Sequence, residues 1–422
     1  MATSSISSNA QTHSPSLRTR VFGRAFKAFT YPDFRIMWIG ACTSTIGSFM
    51  QTVAQAWLIY YFLTKRDAFY LGFDTFLAQM PIVLFSLIGG VIADRYERRR
   101  MLMMSQIVQM TCAFTLAALY ITGRVKVEHV LLLSFITGCG QSFGGPAYQA
   151  LIPSLVKKED LQNAIALNSI QFNLARVIGP ALGGIALAYL GAAWCFGLNG
   201  LSFVAVLISL SLIKTRYQPV KTGESVLESM KQGIRFLHKQ PGMVSLIALA
   251  FLMTALAIPL LTFLPAMASS LGGEKDLFTV LLCCSGAGAI CGALIVAYVG
   301  HSKHKGRSAL LLLVLMGLLM SGFALSKIKV LSAILIFISG AAMMASMATI
   351  SSLVQLITSD NMRGRVMSVY NVAFRGGMPI GSLIVGKLIP IFTAPAVLAV
   401  DGALLSLLGV YFLTFHRKIA AL

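Results

Sequence analysis

Residues 89–100 read GGVIADRYERRR and join a long apolar run to a dense cluster of charge. Only 11% of the chain is charged, yet six of the seven residues from Asp94 to Arg100 carry a charge. An apolar run that ends abruptly in basic residues is typical of a helix that leaves the lipid core at the cytoplasmic surface. This stretch therefore predicts a membrane protein and marks one edge of its membrane.

The rest of the chain follows the same pattern. It has 422 residues, 57% of them hydrophobic, and its mean hydropathy is +0.79. Apolar runs of bilayer length recur throughout, and in lipid such runs must be helices because every backbone group needs an internal partner. Polar breaks divide them into twelve predicted spans, at 34–64, 68–93, 101–122, 129–154, 161–188, 192–213, 243–270, 277–300, 308–326, 330–357, 364–390 and 396–415. The predicted fold is an all-α integral membrane protein with two pseudo-symmetric six-helix bundles.

The net charge of +20 raises the question of a nucleic-acid partner. Most Lys and Arg residues, however, fall in the loops on the side of both predicted termini, which is the pattern that retains loops in the cytoplasm. We therefore expect both termini to be cytoplasmic and expect no nucleic-acid partner. The seven cysteines lie in or beside apolar spans without metal-site spacing, so neither a metal nor a cofactor is expected.

The longest polar interval follows the sixth span and divides the chain in two. We expect a cytoplasmic tail (1–33), a first bundle (34–213), a linker (214–242), a second bundle (243–415) and a short tail (416–422). Within the linker, LESMKQGIRFLHK (227–239) has apolar residues at helical spacing and predicts an amphipathic helix on the membrane surface. Residues 18–29 fit either an interfacial helix or a disordered tail.

Polar side chains inside the spans are the candidates for binding a transported molecule. A charge at mid-bilayer costs at least about 2.5 kcal/mol, so it usually faces protein or water. In the fifth and eleventh spans, an Arg precedes a Pro by four residues, which suggests a duplicated half. Each candidate has the alternative of a structural role in helix packing. The predicted substrate-binding residues are Gln51, Gln55, Gln141, Tyr148, Gln171, Arg176, Met347, Asn371 and Arg375.

Two acidic residues are candidates for proton coupling. Asp74 lies about two turns into the second span, and Asp401 has a similar position in the twelfth. A desolvated carboxyl in either place is able to exchange a proton with the gradient. The alternative is that both are solvated residues near the outer boundary of the membrane.

At the opening stretch the chain resembles the major facilitator superfamily, whose hallmark joins the second and third spans. Here the hallmark residues are Gly90, Asp94, Arg95, Arg98, Arg99 and Arg100, with Glu97 where the family usually has Gly. Further stretches resemble the branch of enterobactin and macrolide exporters. GPALGG resembles the antiporter motif of the fifth span, with Gly179, Pro180, Gly183 and Gly184. The resemblance implies that both sets of residues take part in gating.

The resemblance implies a secondary active transporter that exports an amphiphilic small molecule, such as a siderophore or a drug, by alternating access. Proton coupling is expected, although no basic residue lies between His129 and Lys157, where many drug/proton antiporters carry an Arg. An importer or a lysophospholipid flippase of the same fold is the alternative. Enzyme motifs such as H-E-x-x-H and G-x-S-x-G are missing. We expect a monomer in a bacterial inner membrane.

Overall fold

The computed structural model describes residues 26–214, 226–273, 275–299, 305–359, 362–415 and 419. In these residues the chain forms long helices joined by short loops, and a 3-10 turn (Lys27–Thr30) precedes the first of them. The helices are α1 (Pro32–Trp57), α2 (Phe69–Arg95), α3 (Arg98–Ile121), α4 (Val127–Leu155), α5 (Leu161–Tyr189), α6 (Ala192–Leu212), α7 (Val226–Lys239), α8 (Met243–Ala257), α9 (Pro259–Thr262), α10 (Leu264–Ser270), α11 (Lys275–Val299), α12 (Lys305–Leu325), α13 (Lys329–Ile357), α14 (Arg363–Leu388) and α15 (Ala394–Thr414).

Nine helical segments of the described residues are long and apolar enough to cross a membrane, and one of them, Met243–Thr262, combines α8 and α9. The other long helices at predicted spans are α1, α4 and α14, with 26, 29 and 26 residues. The positions of the helices agree with the predicted spans, so the all-α membrane fold is confirmed. The number of twelve transmembrane spans stays a prediction.

The helix of the predicted seventh span is interrupted at Ile258 and Phe263, although Met243–Thr262 is one of the nine candidate membrane spans. The chain breaks there into α8, α9 and α10, and Pro259 and Pro265 lie in the first positions of the two short helices. Proline has no N–H group to continue a preceding helix, but it fits the first turn of a new one. Pro180 and Pro379, in contrast, lie inside α5 and α14, which continue through them.

The two halves meet along two antiparallel helix pairs, α2 with α14 and α5 with α11. We call the end of the bundle that holds Lys27 and the start of α5 the proximal end, and the opposite end the distal end. At the distal end the halves are in direct contact, because the Tyr61 hydroxyl donates to the carbonyl oxygen of Pro265 over 2.9 Å. Gly72 lies against the backbone of Ser382, and Gly184 lies against Thr279. We call these three contacts the distal seam.

The predicted amphipathic helix of the linker is present as α7. It packs on α14 and α2, which belong to different halves, and it also contacts α8. Leu237 is buried against the protein, while the basic residues Lys231, Arg235 and Lys239 are exposed. Helix α7 therefore touches both halves at the proximal end and presents a basic face to its surroundings.

Candidate functional site

A cavity of about 660 Å³ lies in the N-terminal half. Side chains of α1 to α6 form its walls. From the second half, Arg375 of α14 also lines it. Cavities of this size hold a drug-sized molecule. Gln149 and Ser169, on the parts of α4 and α5 nearer the proximal end, are exposed, whereas the distal seam closes the other end. We interpret the cavity as open toward the proximal end, because the direct contacts between the halves that the described residues show lie at the distal end.

Six of the nine predicted substrate-binding residues line this cavity, namely Gln51, Gln55, Gln141, Tyr148, Gln171 and Arg375. The other three lie elsewhere: Met347 is buried in the C-terminal half, Arg176 is half-buried in α5 and Asn371 is exposed on α14. Five of the six lining candidates thus belong to the first half, and Arg375 belongs to the second.

Some of the lining side chains also hold the helices together. The Tyr148 hydroxyl donates to Asn168 Oδ1 over 2.6 Å, which joins α4 to α5. Gln171 Nε2 donates to Thr45 Oγ1 at 2.9 Å, which joins α5 to α1. The packing role that the sequence left open for these residues is therefore real, although both still face the cavity.

A chain of hydrogen bonds connects the cavity to Asp74. Gln55 Nε2 donates to both carboxylate oxygens of Asp74 at 3.0 and 2.9 Å, and Ser134 Oγ donates to Oδ1 at 2.5 Å. On the other side, Gln51 Nε2 donates to Gln55 Oε1 at 3.3 Å, and Asn199 Nδ2 donates to Gln51 Oε1 at 2.6 Å. The interpretation of Asp74 as a solvated boundary residue is wrong, because its carboxylate is held by two side chains of the cavity wall.

Asp401 is likewise a buried residue and not a solvated one at the membrane boundary. Its side chain is 7% exposed in α15, and its Oδ2 atom has no hydrogen-bond partner among the described residues. Because Asp401 does not line the cavity, it lacks the direct link to the cavity wall that Asp74 has.

Several lining residues were missed by sequence reasoning. Gln106 and Gln109 of α3 and Asn199 of α6 are buried to more than nine-tenths and face the cavity. Ser134 of α4 belongs to the Asp74 network. A polar amide inside an apolar span was the available signal, because an unpaired amide is unfavourable in lipid and tends to face the bundle interior.

The basic residues of the opening stretch connect helices within the N-terminal half. Arg98 donates to the carbonyl of Ala150 at 2.7 Å. Arg99 donates to the carbonyls of Ser211 and Ile213 at 2.9 and 2.8 Å, at the C-terminal end of α6, where a cation is favourable. The side chains of Asp94 and Arg95 are not among those that the structure describes.

Glu97, the departure from the family pattern, has a local explanation. It occupies the N-cap position of α3 and pairs with Arg100 at 2.7 Å. A carboxylate is favourable at a helix N-terminus because of the helix dipole. Glu97 makes no capping hydrogen bond with its side chain, so its local contacts are the position at the helix N-terminus and the exposed pair with Arg100.

The contact between α2 and α4 is made at Gly89 rather than at Gly90. No described atom lies within 4 Å of the position of a Cβ on Gly90, whereas a Cβ on Gly89 would collide with the carbonyl oxygen of Ser142. The close contact between α2 and α4 is therefore made one residue earlier. In the antiporter motif, Gly179 and Gly183 pack against α1, and Gly184 packs against the other half.

A polar cluster at the proximal end fixes the start of the chain to α5. Lys27 Nζ pairs with Asp160 Oδ1 at 2.9 Å, and the Tyr31 hydroxyl donates to Asp160 Oδ2 at 2.7 Å. The backbone N–H of Ala28 donates to Asn163 Oδ1 at 2.8 Å. We call these five residues the proximal clamp: Lys27, Ala28, Tyr31, Asp160 and Asn163. The hydrogen bonds from Lys27 and Tyr31 lower the pKa of Asp160, and the bond to Asp160 raises the pKa of Lys27.

The family model described as transmembrane secretion effector matches residues 24–421. The chain belongs to this family of the major facilitator superfamily. Relatives include proteins named enterobactin exporter EntS. The one from Salmonella typhi is 27% identical over 387 residues, which are 91% of this chain and 92% of the relative. The one from Citrobacter koseri is 27% identical over 383 residues, covering 90% and 91% of the two chains.

Solved structures show the same fold. A nucleoside transporter named NupG has a TM-score of 0.74 at 13% identity and covers 91% of this chain and 98% of its own. A D-xylose-proton symporter has a TM-score of 0.70 at 14% identity, covering 95% and 99%. This family member is therefore a multi-pass membrane transporter that moves a small molecule across a lipid bilayer, and not an enzyme.

Proposed function

We propose that this transporter exports a metal-free siderophore from the cytoplasm across the inner membrane of a bacterium, as a monomer and at the expense of the proton gradient. The observation that carries the proposal is the cavity of carboxamide and hydroxyl side chains, which is open proximally and closed by the distal seam. The relatives named enterobactin exporter support the siderophore as the class of substrate.

The direction of transport depends on the orientation in the membrane. The proximal end holds the proximal clamp, the basic residues of the opening stretch and the basic face of α7. Basic loops remain on the cytoplasmic side, so the proximal end is assigned to the cytoplasm. The cavity in this structure then faces inward, ready to take up a molecule made inside the cell.

Export requires the distal seam to open and the proximal end to close. The seam is built from small residues and few polar contacts, so the halves can separate there without leaving buried charges unpaired. On the proximal side, the candidates that would close the cavity are Asp94 and two residues at the start of α14, Arg363 and Arg365. In this scheme the two halves rock around the bound molecule.

Asp74 is the proposed site of proton coupling. Its carboxylate accepts hydrogen bonds from Gln55 and Ser134, both of which line the cavity. Protonation removes its negative charge and weakens the charge-assisted bond from Gln55, which then becomes available to a ligand. In this way a proton on Asp74 and a molecule in the cavity affect each other through one side chain.

The proposal is tested in inverted membrane vesicles that contain the full-length protein. Metal-free enterobactin should accumulate in the vesicles when a pH gradient, acid inside, is imposed, and an uncoupler should stop the accumulation. Accumulation only in right-side-out vesicles would indicate import, and no accumulation in either orientation would exclude siderophore transport. Vesicles without the protein serve as the blank.

A further inference from the structure

Each half of the molecule places an arginine at the same distance from the distal seam. Arg176 of α5 lies eight residues before Gly184, and Arg375 of α14 lies seven residues before Ser382. Gly184 and Ser382 both belong to the distal seam. An α-helix rises by about 1.5 Å per residue, so both arginines lie about 10–12 Å from the seam on its proximal side.

Arg375 is directly accessible from the cavity. It lies near the middle of a long helix, yet its side chain is exposed and lines the cavity wall. Asn371, one helical turn before it, is exposed on the same face. A charged side chain inside a membrane-spanning helix is costly, and a role in binding or transport is the usual reason for its presence.

Arg176 lies on the cavity side of α5. Phe172 and Asn173 line the cavity, and Arg176 follows them by four and three residues, which is the spacing of one helical face. Its side chain is half-buried. The next residue, Val177, packs on Gly286 of α11 in the other half. Arg176 is thus located between the cavity and a contact of the two halves.

The described residues provide no counter-charge for either arginine. Neither forms a salt bridge or a hydrogen bond with a described residue, and the described lining of the cavity contains no Asp or Glu. On the facing helix α2, Cγ1 of Val83 lies 3.9 Å from the position of a Cβ on Gly376, next to Arg375. Asp74 is nine residues before Val83, about 13 Å along the helix, and its carboxylate is held by two side chains of the cavity wall.

We propose that Arg375 binds a carboxylate of the transported molecule, with Arg176 as a second cation that stabilises the same negative charge. This inference rests on the proposed export of a siderophore and adds the charge of its cargo. A guanidinium group binds a carboxylate through two parallel hydrogen bonds, so one carboxylate supplies the missing partner of Arg375. The rest of the described lining is uncharged, which suits the remainder of a molecule with a single acid group.

Binding to the purified full-length protein in lipid nanodiscs tests the inference with a matched pair of metal-free probes. Hydrolysis of one ester bond opens the ring of enterobactin and leaves one carboxylate. The methyl ester of this ring-opened acid has nearly the same shape without the charge. Wild-type protein should bind the acid at least about tenfold more tightly than the ester, the effect of a hydrogen-bonded charge pair.

Substitutions of the two arginines should reduce this preference to different extents. Arg375→Gln should bind the acid only as tightly as the ester, and its affinity for the ester should stay within about twofold of wild type, which also shows that the variant is folded. Arg375→Lys, which keeps the charge without the paired hydrogen bonds, should retain about a threefold preference for the acid. Arg176→Gln should lower the affinity for the acid by about threefold and leave that for the ester unchanged.

Lys387→Gln is the matched control, because it removes a positive charge from an exposed position near the distal end of the same helix. Its affinity for both probes should stay within about twofold of wild type. Equal affinity of wild type for the acid and the ester would overturn the carboxylate site while leaving the export of a siderophore intact. An equal loss of affinity for both probes in Arg375→Gln would also overturn it, since that result indicates a structural role. Absence of binding of both probes and of enterobactin itself would overturn the proposed substrate together with the site.

Discussion

At the scale of single residues, Asp74 and Asp401 differ in what surrounds them. Asp74 is bonded to Gln55 and Ser134 of the cavity wall, and Asp401 is buried apart from the cavity. We therefore expect Asp74→Asn to abolish transport driven by a pH gradient, because an amide at this position cannot release a proton. Exchange of labelled for unlabelled enterobactin without a gradient should remain at half the wild-type rate or more.

Asp401→Asn is the comparison for this experiment, since it makes the same chemical change at a second intramembrane carboxyl. It should keep gradient-driven transport in the same proteoliposomes. Loss of driven transport in Asp401→Asn, with retention in Asp74→Asn, would exchange the roles assigned to the two residues.

A second prediction concerns the contact between α8 and α14. A Cβ on Gly381 would collide with the carbonyl oxygen of Ala255, which belongs to the backbone and cannot move aside alone. We expect Gly381→Ala to lower the free energy of unfolding by about 1–3 kcal/mol, the usual cost of overpacking. Thermal unfolding in detergent measures the effect.

Gly322→Ala is the control for that measurement. A Cβ there meets the methyl groups of Leu335 at 3.8 and 3.9 Å, which is ordinary contact. Alanine is also the better helix former, so this variant should be as stable as wild type or slightly more so. A loss of stability in Gly322→Ala as large as in Gly381→Ala would contradict the steric explanation.

How far the sequence predicts the site is best seen from Gln51, Gln55 and Asp74. Gln51 and Gln55 are four residues apart, which is the spacing of one helical face, and both line the cavity. The bonds from Gln55 to Asp74 and Ser134 were beyond prediction, because helical periodicity defines which face a residue shares but not which helix lies opposite. Gln106 was missed although its amide inside an apolar span was a signal.

At the scale of the structural elements, the proximal clamp attaches the turn before α1 to the start of α5. We expect Asp160→Asn to speed hydrogen–deuterium exchange of the segment from Ala28 to Tyr31 at pH 7 by several-fold, because the pair with Lys27 is lost. Glu159→Gln, an exposed neighbour, should leave exchange unchanged. Equal effects of both substitutions would indicate that only the local charge matters.

The pKa shifts in the clamp also define its dependence on pH. The lowered pKa of Asp160 means that its contribution is present above the ordinary value of 3.8 and is lost as the pH falls through the lowered value. The raised pKa of Lys27 means that its contribution is present below 10.5 and is lost as the pH rises through the raised value. The contacts of the proximal clamp should therefore remain formed from pH 4 to pH 10, which the same exchange experiment measures.

The limits of most helices were predictable within a few residues, because polar breaks and glycines mark where apolar runs end. Gly191 and Gly242, with φ of 89° and 79°, occupy backbone conformations in the loops that other residues rarely adopt. The π-helical turn at Leu58–Leu63 and the division into α8, α9 and α10 were not predicted. Hydropathy is uniform across such segments, so it does not reveal a change in backbone hydrogen bonding.

At the scale of the whole molecule, the distal seam can be fixed by a covalent bond. Gly184 lies against Thr279 across the two halves. On the same pair of helices, a Cβ on Gly286 would lie at an ordinary 3.6 Å from Val177. In a background without the seven native cysteines, we expect Val177→Cys with Gly286→Cys to form a disulfide under oxidation and to stop transport, since α5 and α11 can no longer separate. Reduction should restore transport to the level of the same variant before oxidation.

Each single cysteine variant is the control for this pair and should transport equally before and after oxidation. Cross-linked protein should still bind enterobactin, because the cavity stays open at the proximal end. Full transport by the cross-linked protein would contradict alternating access through the distal seam.

The unequal division of the cavity between the two halves has a consequence for how such transporters diversify. Six helices of the first half form the walls, and the second half contributes Arg375. A chimera that joins residues 1–213 of this chain to the second half of a distant relative should inherit the cargo of the first parent. Substitutions that change the transported molecule can then accumulate in the first half of the gene. The second half is constrained separately, by its packing against the first.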